Sequence, residues 1–183
     1  SSAASDVYKR QVLGLALHNE TALTGSLIHL FNHALMKGGL FMVVGCMVYR
    51  IGGCCLDDLA GIGRRMPLTF LAFAIGGVGM IGVPLTAGFV SKWYLVLGAL
   101  EAGLWWVALI VLFASLLAVM YVWRVIEVGW FRDPPDDAPQ EAPLSLLVPA
   151  WVMIGASVVF GIWTGPMLHI AGKAAQMLFG GIQ

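Results

Sequence analysis

"SLIHLFNHALMKGGLFMVV", residues 26–44, is apolar enough to sit in lipid, yet it carries His29, His33 and Lys37. A lysine at bilayer depth costs about 2.5 to 3.5 kcal/mol on insertion scales, so a chain that accepts one must turn it towards protein or water. At about 100° per residue, Ser26, His29, Asn32, His33 and Lys37 fall within one helical arc of roughly 140°. Leu30, Phe31, Ala34 and Phe41 face elsewhere. The polar residues form a stripe on a helix expected from about Leu23 to Tyr49, with Thr21 or Thr24 as start cap and Gly52-Gly53 as stop.

The 183 residues are 60% hydrophobic and 11% charged, with a formal net charge of zero. Soluble domains carry about a quarter charged residues, so the solvent for most of this chain is lipid. Met66 to Ser91, Leu104 to Trp123 and Pro143 to Leu168 contain no Asp, Glu, Lys or Arg. Each meets the roughly 20 apolar residues that a spanning helix needs, and none alternates as a barrel strand does. The class is all-α: a polytopic transmembrane bundle of about five spanning helices, one of them broken, with an amphipathic C-terminal segment.

Residues 1–11, "SSAASDVYKRQ", are polar and abut the apolar part abruptly; they read as a non-native leader of the kind a sequencing adaptor leaves. Residues 12–131 hold most of the spans, 132–143 a polar, proline-rich linker, and 144–183 a last span and a tail. Between Cys54 and Pro67, "CCLDDLAGIGRRMP" suits a short surface helix ended by the proline. A second span follows over about Pro67 to Gly82, rich in the glycines that let helices approach. Pro84 and Gly88 break the third, which continues past Lys92 towards Glu101. The fourth runs from about Leu104 to Val128, with Arg124 and Glu127 as an end-of-helix pair and Trp105, Trp106, Tyr121, Trp123 and Trp130 as interfacial anchors. The fifth runs from Leu144 to about Gly165, and the tail "MLHIAGKAAQMLF", with His169 and Lys173, suits the membrane interface. Five crossings place Arg50, Arg64, Arg65 and Lys173 on one side and chiefly Arg132 on the other, which sets the loop after the first span in the cytoplasm.

Neutral charge without a basic stripe argues against nucleic acid as partner. Cys46, Cys54 and Cys55 lack the spacing of a zinc site or disulfide framework, and palmitoylation of Cys54 or Cys55 is the alternative duty. His29 and His33 have no third ligand on their helix, so no metal is expected there, and no cofactor elsewhere. There is no nucleophile with an oriented base, no phosphate loop and no nucleotide fingerprint, so the chain is expected to perform no covalent chemistry itself.

Two lysines need a reason. Snorkelling suits lysines near helix ends, whereas Lys37 stands about 14 residues from either end of its helix, beyond easy reach of the interface. Lys92 follows the break, where unpaired backbone groups of transporters build ion sites; the plainer account is an interfacial lysine beside Trp93 and Tyr94. Burial weakens an amine's hold on its proton, and histidine titrates near neutral pH. Residues four apart on a helix are about 6 Å from each other, a gap one water bridges. His29, His33 and Lys37 are therefore placed to pass protons along the helix. The rival account has all these charges merely gluing helices through direct acidic partners.

"HLFNHALMKGGLFMVVGCMVYR" (29–50), "LDDLAGIGRRMPLTFLAFAIGGVGMIGVPLTAGFVSKWYLVLGALE" (56–101) and "SLLAVMYVWRVIE" (115–127) resemble the proton-conducting membrane subunits shared by respiratory complex I and multisubunit Mrp-type Na+/H+ antiporters. "GVPLTAGFVSKWYLVLGALEAG" (82–103) looks most like the antiporter's D subunit. The resemblance implies the C-terminal part of a subunit with about fourteen helices in two inverted repeats. It places Lys37 and Lys92 in the central polar axis and second proton half-channel, with His29 and His33 as the histidines preceding the first lysine. The family's first half-channel, with its glutamate and lysine, has no counterpart here. The expectation is a multi-pass subunit of the cytoplasmic membrane that moves protons in exchange for a monovalent cation such as Na+, partnered by other subunits and the lipid bilayer. The alternative is the proton-pumping arm of NADH:quinone oxidoreductase or a membrane-bound hydrogenase.

Overall fold

The computed structural model describes residues 9, 11–17, 19–53, 55–134 and 140–180. Most of the segment 1–11 expected as a leader, and Cys54, lie outside the described residues. Among the described residues, seven helices follow the short helical stretch 11–16. They are α1 (Glu20–Ile51), α2 (Ile62–Arg65), α3 (Pro67–Ile81), α4 (Ala87–Glu101), α5 (Trp105–Phe131), α6 (Leu144–Ile162) and α7 (Gly165–Gly180). There is no strand among the described residues. Among the described residues three helices, α1, α5 and α6, are long and apolar enough to cross a membrane by themselves.

α1 starts earlier than the threonines suggested. Asn19 is the cap: its Oδ1 accepts from the Ala22 N–H at 2.7 Å, and its Nδ2 donates to the Gly98 carbonyl at 2.7 Å, tying the start of α1 to the end of α4. An asparagine serves both ends because its side chain accepts and donates. Gly52, at φ +78°, stops the helix as its position predicts.

α3 and α4, expected as separate crossings, stack end to end along α1. Gly98 meets Ala22, Gly25 meets Tyr94 and Leu95, and Met36 lies by Gly79 and Gly88. Further along α1, Leu40 lies by Gly76, so the partners descend in order from α4 into α3. α5 retraces the same path in reverse, with Ser115 at Lys92, Val122 at Gly77 and Gly129 at Phe70. Each half has 15 residues, about 22 Å at 1.5 Å per residue, too short for a 30 Å hydrocarbon core alone. Together with the turn 82–86 they form one broken crossing. The break falls where Pro84 and Gly88 place it.

Four crossings rather than five among the described residues move Arg132 to the side of the loop after α1. The loop after α1 and the linker after α5 meet at one end: Arg64 pairs with Asp133 at 3.3 Å, Arg132 with Asp57 at 3.1 Å, and Arg50 donates to the Glu141 carbonyl through Nε and Nη2. Arg132 therefore shares a side with Arg50, Arg64 and Arg65. The tail lies at the other end, where Met167, Ile170 and Ala171 of α7 flank Leu27, Ile28 and Phe31 of α1. The loop itself is a 3-10 turn (Asp57–Leu59) and the single turn α2, which stops just before Pro67, and Pro67 begins α3. A proline at the first helical position loses nothing, because that N–H has no intrahelical partner.

The core at this end gathers Val43, Cys46 and Met47 of α1, Phe70 and Ala72 of α3, and Ala150 and Ile154 of α6. Cys46 is one of its packing side chains, while Cys55 is exposed. Arg124 and Glu127 form the exposed i,i+3 pair that their spacing suggests, at 2.9 Å.

Candidate functional site

The polar arc of α1 is turned inward. Ser26, His29 and Asn32 are 2% exposed or less and His33 is 8% exposed, whereas Leu30, Phe31, Ala34 and Phe41 are exposed. Lys37, half-buried, continues the same face. This is the arrangement a 3.6-residue period predicts when one stripe is polar and the rest contacts lipid.

His29, His33 and Lys37 of α1, Lys92 of α4 and Tyr121 of α5 line one cavity of about 190 Å³, closed by Met36, Met80, Gly88, Ala114 and Ala118. A space of this size between polar groups holds several waters. All four residues singled out from the sequence therefore meet in one place, contributed by two elements, with α3 and α5 completing the wall. Lys37 also borders a second, shallower cavity with Leu40, Phe41, Val44 and Met80.

His29 is oriented by α4. Its Nδ1 lies 3.0 Å from Ser91 Oγ, and that hydroxyl donates its hydrogen to the Gly88 carbonyl at 3.2 Å. The hydrogen bond between Nδ1 and the hydroxyl holds the ring's orientation in either tautomer. The His29 and His33 rings stack one turn apart, centroids 5.1 Å apart and tilted by 46°. Asn32, between them in sequence, donates to the Ala87 carbonyl at 2.9 Å, just past the break.

Lys92 does not reach outward to an interface. Its ammonium folds back onto the end of α3, donating to the Met80 carbonyl at 3.0 Å, the Ile81 carbonyl at 2.7 Å and Ser115 Oγ at 2.9 Å. The last carbonyls of a helix have no intrahelical donors and carry the negative end of its dipole. Three N–H donors meet three acceptors, so the cup is complementary to the protonated amine. Gly82 makes room: it holds φ +85°, and a Cβ there would stand 3.0 Å from Lys92 Cδ and 3.2 Å from its Nζ.

Several participants escaped sequence reasoning. Ser91 and Ser115 read as ordinary hydroxyls, since such groups satisfy themselves on their own helix. The Met80 and Ile81 acceptors belong to the main chain and leave no mark on side-chain identity. Tyr121, expected as an interfacial anchor, lines the cavity instead because it follows Ala114 and Ala118 on one face of α5. The small residues Ala114, Ser115 and Ala118 in a run of leucines and valines were the available signal. No cluster of three or more metal-ligating side chains occurs among the described residues.

Buried histidines and lysines around a wettable space beside a broken helix are the equipment of ion and proton translocation. Residues 11–118 match the family described as NADH:quinone oxidoreductase/Mrp antiporter, TM, and the chain belongs to that family. The chain is 42% identical to the NADH-quinone oxidoreductase subunit N of Desulforudis audaxviator, over 83% of this chain and 33% of that protein. It is 28% identical to the D subunit of the Na(+)/H(+) antiporter of Bacillus subtilis, over 91% and 34% respectively. Its fold matches a chain of respiratory complex I from Thermus thermophilus with TM-score 0.84 at 20% identity, over 96% of this chain and 38% of that one. The chain thus spans about a third of the length of the curated relatives it matches. It is a multi-pass membrane protein.

Proposed function

We propose that the protein is a proton-translocating subunit of a multisubunit monovalent cation/proton antiporter in the cytoplasmic membrane, and that His29, His33, Lys37 and Lys92 carry the protons. The supporting observation is that these four residues border a single cavity next to a helix break. Protons step between Lys37, His33 and His29 through single waters, one helical turn at a time. Lys92 stands across the cavity as the site whose charge alternates with theirs. The three bonds of the Lys92 amine described above go to neutral oxygens beside the cavity, which suits a group that exchanges its proton. Partner subunits complete the assembly and supply the cation's path.

One observation favours a second power source. The 42% identity to an N subunit of the oxidoreductase, against 28% to a D subunit of the antiporter, suits a redox-driven proton pump. Neighbouring genes discriminate: iron-sulfur and flavin subunits accompany the pump, small hydrophobic antiporter subunits the exchanger.

Proton flux through the reconstituted full-length assembly tests what both readings share. Lys37→Ala is expected to abolish it, and undiminished flux would overturn the assignment.

A further inference from the structure

The seat of the Lys92 ammonium is made of neutral oxygen atoms that would serve a free ion equally well. Two are orphan carbonyls at the C-terminal end of α3, and the third is Ser115 Oγ, whose hydrogen goes to the Val111 carbonyl at 3.1 Å. Its lone pairs consequently face the cation. The oxygens stand 2.7 to 3.0 Å from the amine nitrogen. Oxygen-only ligands suit hard cations, and with no carboxylate among the three the set suits a single positive charge. The C-terminal dipole of α3 adds to the attraction. Beside the cup, Gly82 leaves the approach open, and the cavity offers water to complete an ion's coordination.

We propose that the cup formed by the Met80 and Ile81 carbonyls and Ser115 Oγ is a monovalent-cation site, and that the Lys92 side chain is its tethered occupant. Protonated, the amine fills the cup with three hydrogens. After it hands a proton to cavity water it keeps two hydrogens for three acceptors, and its lone pair repels the third. A free alkali cation then replaces it. Occupancy by ion or by ammonium is mutually exclusive, which links cation movement to proton movement at one place. The proposal deepens the reading above and rests on it for physiological meaning only, since the cup's affinity is measurable without transport.

The test is equilibrium binding of Rb+, an ion of ammonium size, to the purified full-length assembly, with Na+ as competitor. Lys92→Ala is expected to create one saturable site per subunit, weakened about tenfold by adding Ser115→Ala, the loss of one ligand. Displacement by Na+ below the Rb+ concentration identifies the smaller ion as the preferred guest; the reverse identifies the larger. Absence of the new site, or indifference to Ser115→Ala, overturns the proposal. Should Lys92→Ala not assemble, the wild-type assembly decides: as rising pH strips the amine of its proton, Rb+ binding rises in wild type and does so less in Ser115→Ala. The titratable groups sharing the cavity are His29, His33 and Lys37 of α1 and Tyr121 of α5, and none of them touches Ser115 in the bonds described. A flat profile overturns the proposal. Flux lost in Lys37→Ala with no Rb+ site would retain the transport reading and reject the cup.

Discussion

At the residue scale, the two lysines are held in different ways. Lys37 stands on a cavity wall, while Lys92 is fastened by three acceptors and 9% exposed. Gly82 decides whether that fastening survives. An alanine there would pay for a left-handed backbone by about 1 to 2 kcal/mol and would push a methyl group against the lysine stem. Gly82→Ala is therefore expected to lower both thermal stability and proton flux, with Gly82→Ser behaving alike; normal flux would contradict this assignment of the glycine. Ser91→Ala removes the hydroxyl that orients the His29 ring, and is expected to slow flux less than His29→Ala does, because a water can replace the hydroxyl. His29, His33 and Lys37 were legible because polar groups at helical spacing in an apolar run are too costly in lipid to stand there without an inward-facing surface to meet. The serines were not, since a hydroxyl costs little in a helix whether or not it serves a neighbour.

At the scale of elements, the broken crossing governs the site. Its turn holds Leu85 at φ +74°, a conformation disfavoured for any side chain. Gly161 of α6 packs directly under it, where a Cβ would run into the Ala87 nitrogen and the Leu85 carbonyl. Gly161→Val should separate α6 from the turn and destabilise the fold by about 1 to 3 kcal/mol, read as a fall in thermal midpoint of the full-length protein. The other end of α3 is governed by Glu141. Its carboxylate accepts from the Leu68 N–H at 2.8 Å, the Thr69 N–H at 3.3 Å and the Thr69 hydroxyl, serving as an N-terminal cap delivered from the linker. Glu141→Ala is expected to cost about 1 to 2 kcal/mol, as lost caps do, with Glu141→Gln costing less. The break itself was legible in Pro84. That the flanking runs share one crossing was not, because apolar length alone cannot tell two short helices in line from two side by side. Glu141 escaped notice because a cap contributed by a residue more than 70 positions away leaves no local pattern.

At the scale of the whole molecule, the corrected crossing number collects Arg50, Arg64, Arg65 and Arg132 at one end and leaves Lys173 at the other. By the excess of loop arginine, that end is expected to face the cytoplasm. A cysteine placed at exposed Asp133 in a full-length chain lacking its native cysteines should react with an impermeant maleimide only from the cytoplasmic side; reaction from outside would reverse the orientation. Composition made the lipid environment and helical class plain, and the stripe on α1 made the buried site plain. The sides of Arg132 and Lys173 were not legible for one reason: they inherit the parity of the crossings, so a single broken helix inverts every loop that follows.

The remote cap on α3 also bears on how the protein is made. When the ribosome has delivered α3 and α4, neither half is long enough to settle across the bilayer, and the free N–H groups at Leu68 and Thr69 still await their acceptor. Glu141 emerges only after α5 has been synthesised. The crossing that carries Lys92 is therefore expected to gain the acceptor for these N–H groups only once the later part of the chain returns to close it.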